Sequence, residues 1–345
     1  MKEGKLPLNL LEQMISSSKN TNPGIIQGPK IGCDVAVLDY EKAIQKVKQF
    51  YQSKEDIYLV FKTDPITFPT PNPGKYAVIV NANDIVTSGA LPFGFNATII
   101  MPTGSTQQDI FEIQKGIESE CKKNDIYLLG GHTEISSSAK TPIISGAMLG
   151  FVPKDYYVPR EIHVGDVVIC VGWCATEGLG IIASEGYAKL KKYISETSLK
   201  KLIKLGENIS IIKTALDINK KIQPGLMHDA TEGGILGAIY ETIIPEGFGL
   251  ELITENFPVS EEAKELCTLL RIDPLRLLSS GTLLIVTTES KAQMIINDST
   301  IDIPIRIIGK IREKSFGAKL NAMKIDPPGP DAIIAALRKI EEGNF

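Results

Sequence analysis

Four aspartates set among glycines and small residues carry the chemistry this chain can do. They stand in GPKIGCDVAV (28–37), KTDP (62–65), NANDIVTSGA (81–90) and HDATEGG (228–234) as Asp34, Asp64, Asp84 and Asp229. A single such aspartate is a turn former or a helix cap. Four of them, with the Gly-Gly-His-Thr-Glu run at 130–134, supply what a magnesium polyphosphate needs: hard oxygen ligands arriving from several loops. Around Asp34, Gly28 and Gly32 allow a tight backbone path whose exposed amides suit phosphate oxygens. No Gly-Lys-Ser/Thr closes that path, so it is not a Walker loop. Asp64 is expected at the end of a strand ending at Phe61. Asp84 is expected on a helix beside Asn83, among small and apolar residues, either as a buried cap or as a ligand. Asp229 precedes a helix whose Gly233 and Gly234 leave its N-terminus open to an anion. Gly130, Gly131, His132 and Thr133 follow a short apolar strand, where a histidine either meets a ligand or serves as a hydrogen-bonded structural residue. Cys33 is a nucleophile or a small residue that fits a turn, and no base near it is assignable.

These residues need elements to hold them. Apolar spacing predicts an opening amphipathic helix from Leu8, then helices over 75–90 and 107–123. Strands are expected over 56–61, 94–101, 126–129 and 141–152. The segment PKDYYVPREI (153–162) has the prolines, aromatics and charges of a crossing, which sets domains at 1–157 and 158–345. Beyond it, strands are expected over 167–171, 226–228, 250–253, 282–287, 303–311 and 318–325. Helices are expected around 175–183, over 199–216, from Glu232 and from Asp331. The fold class is mixed α and β (α+β) in two domains, the natural number for 345 residues.

Lys and Arg number 37 against 41 Asp and Glu, so no basic footprint for nucleic acid exists. The lysines of 189–221 interleave with Leu and Ile at helical spacing and read as a solvated helix face. No apolar stretch approaches the ~18 residues of a membrane span. The five cysteines show no zinc-ligand spacing, which leads to the expectation of a reduced, cytoplasmic location.

Taken in order, these segments resemble the PurM-like superfamily of aminoimidazole ribonucleotide synthetase. Its other members include thiamine-monophosphate kinase, selenophosphate synthetase and the hydrogenase-maturation carbamoyl dehydratase. The resemblance covers nearly the whole chain, from GKLP (4–7) to DPLRLLSSGTLLI (273–285) and Ile308-Gly309. NANDIVTSGA, GGHTEIS and MHDATEGGILGAIYE look most like the maturation branch. The resemblance implies that Asp34, Asp64 and Asp84 are magnesium and phosphate carboxylates of the first domain, and that Asp229 is that of the second. Gly130, Gly131 and His132 stand where the family has Gly-Gly and a polar ligand, often acidic. Asp84, Asp229 and His132 become the catalytic candidates. Gly28, Gly32, Asp34, Asn83, Gly130, Gly131, Thr133, Gly233 and Gly234 become the nucleotide-binding ones. ATP and Mg2+ are the implied cofactors. The resemblance further implies a homodimer that pairs first-domain strands into a barrel and a C-terminal α/β domain that closes over ATP. A small-molecule substrate is turned over or, alternatively, a maturation protein is docked. The chain ends EEGNF (341–345) without the cysteine-bearing tail of the maturation enzyme, so its thiol chemistry is not expected. Nor is the reactive N-terminal Cys and Lys segment of selenophosphate synthetase evident.

Overall fold

The computed structural model describes residues 3–16, 22–67 and 70–343, and the chain forms two compact units, Met1–Tyr157 and Val158–Phe345. The first unit runs β1 (Gly4–Lys5), α1 (Leu8–Ser16), β2 (Ile25–Gln27), β3 (Val37–Leu38), α2 (Tyr40–Ala43) and α3 (Gln45–Tyr51). It continues through β4 (Ile57–Ile66), α4 (Pro73–Thr87), β5 (Leu91–Pro102), α5 (Gln107–Lys123), β6 (Tyr127–Ser136) and β7 (Ile143–Pro153). Its main sheet has the order β1-β6-β5-β7-β4, with β5 and β6 parallel and β7 antiparallel to both β5 and β4.

The burial of α4 follows from its composition. It is apolar round most of its circumference, and Ala77, Val78, Ile79, Ala82, Ile85 and Val86 are all 1% exposed or less. Such a helix needs cover on more than one side; α4 has β4 and β7 on one side and α5 on another. The approach to α5 is close because Gly74 has no side chain: a Cβ there would lie 2.1 Å from the Ile113 carbonyl oxygen.

In β4 the strand runs on to Ile66, past the end expected at Phe61, so Asp64 lies within it, opposite Gly146 of β7. Pro65 is accommodated because β4 is the edge strand, where a missing N–H breaks no ladder. The strand expected over 126–129 likewise extends through the glycines to Ser136.

The second unit comprises β8 (Val167–Val171), α6 (Thr176–Glu185), α7 (Tyr187–Leu190), α8 (Glu196–Gly206), α9 (Ile212–Ile222), β9 (Leu226–Ala230) and α10 (Gly234–Ile243). It ends with β10 (Gly249–Leu252), α11 (Glu261–Leu270), β11 (Thr282–Thr287), α12 (Glu289–Ile296), β12 (Ile305–Arg312), β13 (Ala318–Leu320), β14 (Met323–Lys324) and α13 (Ala332–Glu342). The sheet order is β14-β13-β10-β12-β8-β11-β9. One core cluster joins sheet residues such as Val168 and Leu284 to Ile235 and Ile239 of α10. Another is made by the helices, among them Leu179, Leu202, Leu266 and Ile333. No helix among the described residues is long and apolar enough to cross a membrane.

Two expected elements are each split in two. The helix over 199–216 is α8 and α9: the chain leaves α8 after Gly206 and buries Ile209 and Ile211 before α9 begins. The strand over 318–325 is a hairpin, because Asn321 and Ala322 both have positive φ (47° and 69°), the twist a two-residue turn needs. At the crossing of α6 and α8, a Cβ on Gly180 would lie 2.7 Å from the Cα of Gly206. Gly180→Val is therefore expected to cost about 2 kcal/mol or more by overpacking, read as a lowered urea midpoint; an unchanged midpoint would contradict the close crossing.

Candidate functional site

In the first unit a cavity of about 670 Å³ is walled by α1, the 28–38 segment and parts of β5, β6 and β7. Gly28, Gly32, Cys33, Asp34, Gly130, Gly131, His132 and Thr133 all line it, so the structure gathers two sequence-distant glycine segments into one wall. The lower loop is a turn: the Cys33 N–H donates to the Lys30 carbonyl at 3.1 Å. Gly32 has φ +76° with open space where a Cβ would be, so conformation rather than crowding calls for glycine. Asp34 follows as an exposed carboxylate.

The upper segment owes its position to a β-bulge. In the β5–β6 ladder Phe95 faces Leu128 and Asn96 faces Gly130, leaving Leu129 as the extra residue. Leu129 packs over Gly94, where a Cβ would come within 2.3 Å of its side chain. Such bulges re-aim the residues that follow. Beyond it, His132 and Glu134 share one face of β6, with Nε2 and Oε2 3.2 Å apart. Thr133, at the alternate position, is 7% exposed.

Asp64 and Asp84 form a second group. The Lys62 Nζ lies 2.8 Å from a carboxylate oxygen of Asp84 and 3.9 Å from one of Asp64. Lys62 and Asp64 are two apart on β4 and thus on one face, while Asp84 comes from α4. Wholly buried Asn81 locks the two elements, its Nδ2 donating to the Asp64 carbonyl at 3.0 Å and the Ala77 carbonyl at 2.8 Å. Asn83, the next residue but one on α4, is also wholly buried. Among the described residues no three His, Cys, Asp or Glu side chains stand close enough to hold a metal. Asp34 is thus not drawn into the Asp64–Asp84 pair. A magnesium ion in a phosphoryl-transfer site takes one or two carboxylates and completes its shell with phosphate oxygens and water. The pair already attracts a cation, and its donor set fits that requirement.

In the second unit Asp229 lies inside β9, opposite Leu283, and is 1% exposed. The expected strand end at His228 falls two residues short of Ala230. The start of α10 also differs from expectation. The Gly233 N–H donates to the Asp331 carboxylate at 2.7 Å, and the Gly234 N–H donates to the Thr231 carbonyl at 3.1 Å. Those amides are used within the fold. A Cβ on Gly234 would lie 2.5 Å from the Leu275 carbonyl oxygen, so this glycine admits a neighbouring chain segment.

Three residues of these sites escape a reading of the sequence. Lys62 and Glu134 each stand two positions from a candidate on a strand, and the period of two is the signal that identifies them. Asp331 reads in the sequence only as the start of the last helix. It caps that helix through the Ile333 N–H (2.8 Å) and also accepts from Leu278 (3.2 Å) and Gly233; nothing local in the sequence signals the two distant donors.

Of the cysteines, Cys33 is half-buried and the others are buried. Burial pushes the Cys267 thiol up to about 12 and raises that of Cys121 further. The hydrogen bond with Cys174, and then burial, raise Cys170. At pH 8 a disulfide thiol reagent is expected to label about one thiol per native chain, Cys33, because only an accessible thiolate reacts. Rapid labelling that persists in Cys33→Ser would contradict this placement.

The AIR synthase related protein family matches this chain twice, its N-terminal domain over residues 34–152 and its C-terminal domain over residues 163–320. A Methanocaldococcus jannaschii protein named for hydrogenase expression/formation is 28% identical over 248 residues, which is 69% of this chain and 70% of that protein. Carbamoyl dehydratase HypE of Bradyrhizobium diazoefficiens is 26% identical over 280 residues, 79% of this chain and 70% of the relative. Among solved structures, Escherichia coli HypE, a hydrogenase maturation protein, has a TM-score of 0.77 at 20% identity, covering 96% of this chain and all (100%) of that one. Thiamine-monophosphate kinase of Stenotrophomonas maltophilia gives 0.71 at 17% identity over 94% of this chain and 100% of that chain. A HypE solved in complex with ATP gives 0.67 at 16% identity over 95% of each chain. The two-domain fold of mixed α and β is common to all three.

Proposed function

Because this chain belongs to the AIR synthase-related family, we propose that it is an ATP- and magnesium-dependent enzyme that activates a carboxamide-type oxygen by phosphoryl transfer. The observation that carries this reading is the convergence of Asp64 and Asp84, from different elements, on one cation within the unit matched by the family's N-terminal domain. The carbamoyl dehydratase named among the relatives and the HypE solved with ATP supply the substrate class and the nucleotide.

When bound, magnesium would neutralise phosphate charge. Asp64 and Asp84 would hold it, with Asp34 as a further carboxylate of the same unit. The turns at Gly28 to Asp34 and at Gly130–Gly131 would present amides to developing negative charge. Gly233 and Gly234 would shape the backbone beside Asp229. His132, with its Nε2 3.2 Å from a Glu134 carboxylate oxygen, would handle a proton. A carboxamide oxygen attacks the terminal phosphorus and ADP leaves; the C–O bond then breaks, that oxygen departs as phosphate, and the nitrogen gives up its two protons to leave a nitrile. The edge strand β4 exposes Leu59 (58%) and Phe61 (63%), which supports pairing with a second copy to form the dimer barrel. A second reading, docking to another maturation protein, is favoured by the maturation role named for the E. coli relative.

The chemical test uses small carboxamides labelled with 18O, Mg2+ and ATP. Label recovered in inorganic phosphate supports the dehydratase reading. Label retained in a phosphorylated product makes the protein a kinase. ADP release stimulated by no carboxamide would overturn the enzyme reading and favour docking.

A further inference from the structure

We propose that Lys62 is a positioning residue that occupies, in the free protein, the place a divalent cation takes at Asp64 and Asp84, so that metal enters only with the nucleotide. This inference rests on the carboxylate assignment above and adds an order of binding to it.

The argument begins with charge. Two carboxylates that face one ligand would carry two negative charges and attract a divalent ion on their own. Lys62 cancels one of these and holds Asp84 at hydrogen-bonding distance, 2.8 Å, while its contact with Asp64 is looser at 3.9 Å. A divalent ion arriving alone must therefore displace an ammonium group from the carboxylates it already pairs with. A nucleotide phosphate chain offers that ammonium a new anionic partner. Lys62 sits on an edge strand, its side chain is 39% exposed, and its flexible stem lets the ammonium swing without backbone change. The lysine thus passes from a carboxylate to a phosphate oxygen as the metal takes its place. Asn81 keeps β4 and α4 in register through both states, because its bonds go to backbone carbonyls and not to the exchanging groups.

The test counts bound Mn2+ by electron paramagnetic resonance in the full chain without nucleotide. Wild type is expected to bind Mn2+ at least about tenfold more weakly than Lys62→Met, since removing one nearby positive charge strengthens the pair's hold on a cation. Lys62→Gln serves as a second neutral variant, and Lys62→Arg is expected to stay as weak as wild type. Adding Asp84→Asn to Lys62→Met should abolish the gain. Equal Mn2+ affinity in wild type and both neutral variants would overturn the proposal, as would a gain that survives Asp84→Asn. No nucleotide enters this comparison, so its result stands apart from that of the ATP-binding reading. Calorimetry with a non-hydrolysable ATP analogue then reads the other arm: in wild type Mg2+ should tighten analogue binding, and in Lys62→Met that tightening should shrink.

Discussion

Asp84→Asn is expected to weaken binding of a magnesium–ATP analogue by about a hundredfold or more while changing the melting temperature by no more than about 3 °C. The two halves of this expectation come from the same geometry. Asp84 projects from α4 toward Lys62 and shares that cation with Asp64, so it is one of the two carboxylates that a metal at this place would use. Asparagine keeps the shape and removes the charge, which weakens the site's hold on a hard divalent ion. The stability cost is small because the side chains of Lys62 and Asp84 are 39% and 23% exposed, and partly exposed ion pairs contribute about 1 kcal/mol or less. Calorimetry and thermal melting on one preparation read both quantities. A large fall in melting temperature with unchanged analogue affinity would make Asp84 a structural residue.

The opposite pattern is expected at Asp331. Its carboxylate is 8% exposed and accepts backbone N–H groups from Gly233, Leu278 and Ile333. These join the turn before α10, the segment before β11 and the first turn of α13. Asp331→Ala leaves those donors without their acceptor and removes a helix cap, at a cost of about 2–4 kcal/mol. For a domain of this size the melting temperature should fall by roughly 4–16 °C. Asp331→Asn keeps one acceptor oxygen and should lose about half as much. A neutral Asp331→Ala variant would show that the three segments hold their places without it.

Local pattern accounts for what the sequence disclosed. The helix Gln107–Lys123 and the strands Val167–Val171 and Thr282–Thr287 have the bounds their periodicity predicts, because each carries its own apolar face or fully apolar run. The extra length of β4 and β6 was hidden because Pro65 and the pair Gly130–Gly131 read as breakers. An edge position and a bulge allow both strands to run through them. Asp331 and Gly233, 98 residues apart, meet only through the tertiary fold, and no window of sequence contains both. The glycines at 233 and 234 show the limit most plainly: composition suggested open amides, and the fold uses both internally. At the carboxylates the sequence marked Asp64 and Asp84, while the lysine between them became visible once β4 and α4 were side by side.

The central claim is that these carboxylates serve a magnesium nucleotide. Isothermal calorimetry of the full chain with a non-hydrolysable ATP analogue, with and without magnesium, tests it most directly. The account predicts near-stoichiometric binding that depends on magnesium. No binding in either condition would contradict it and leave the family fold serving a different ligand.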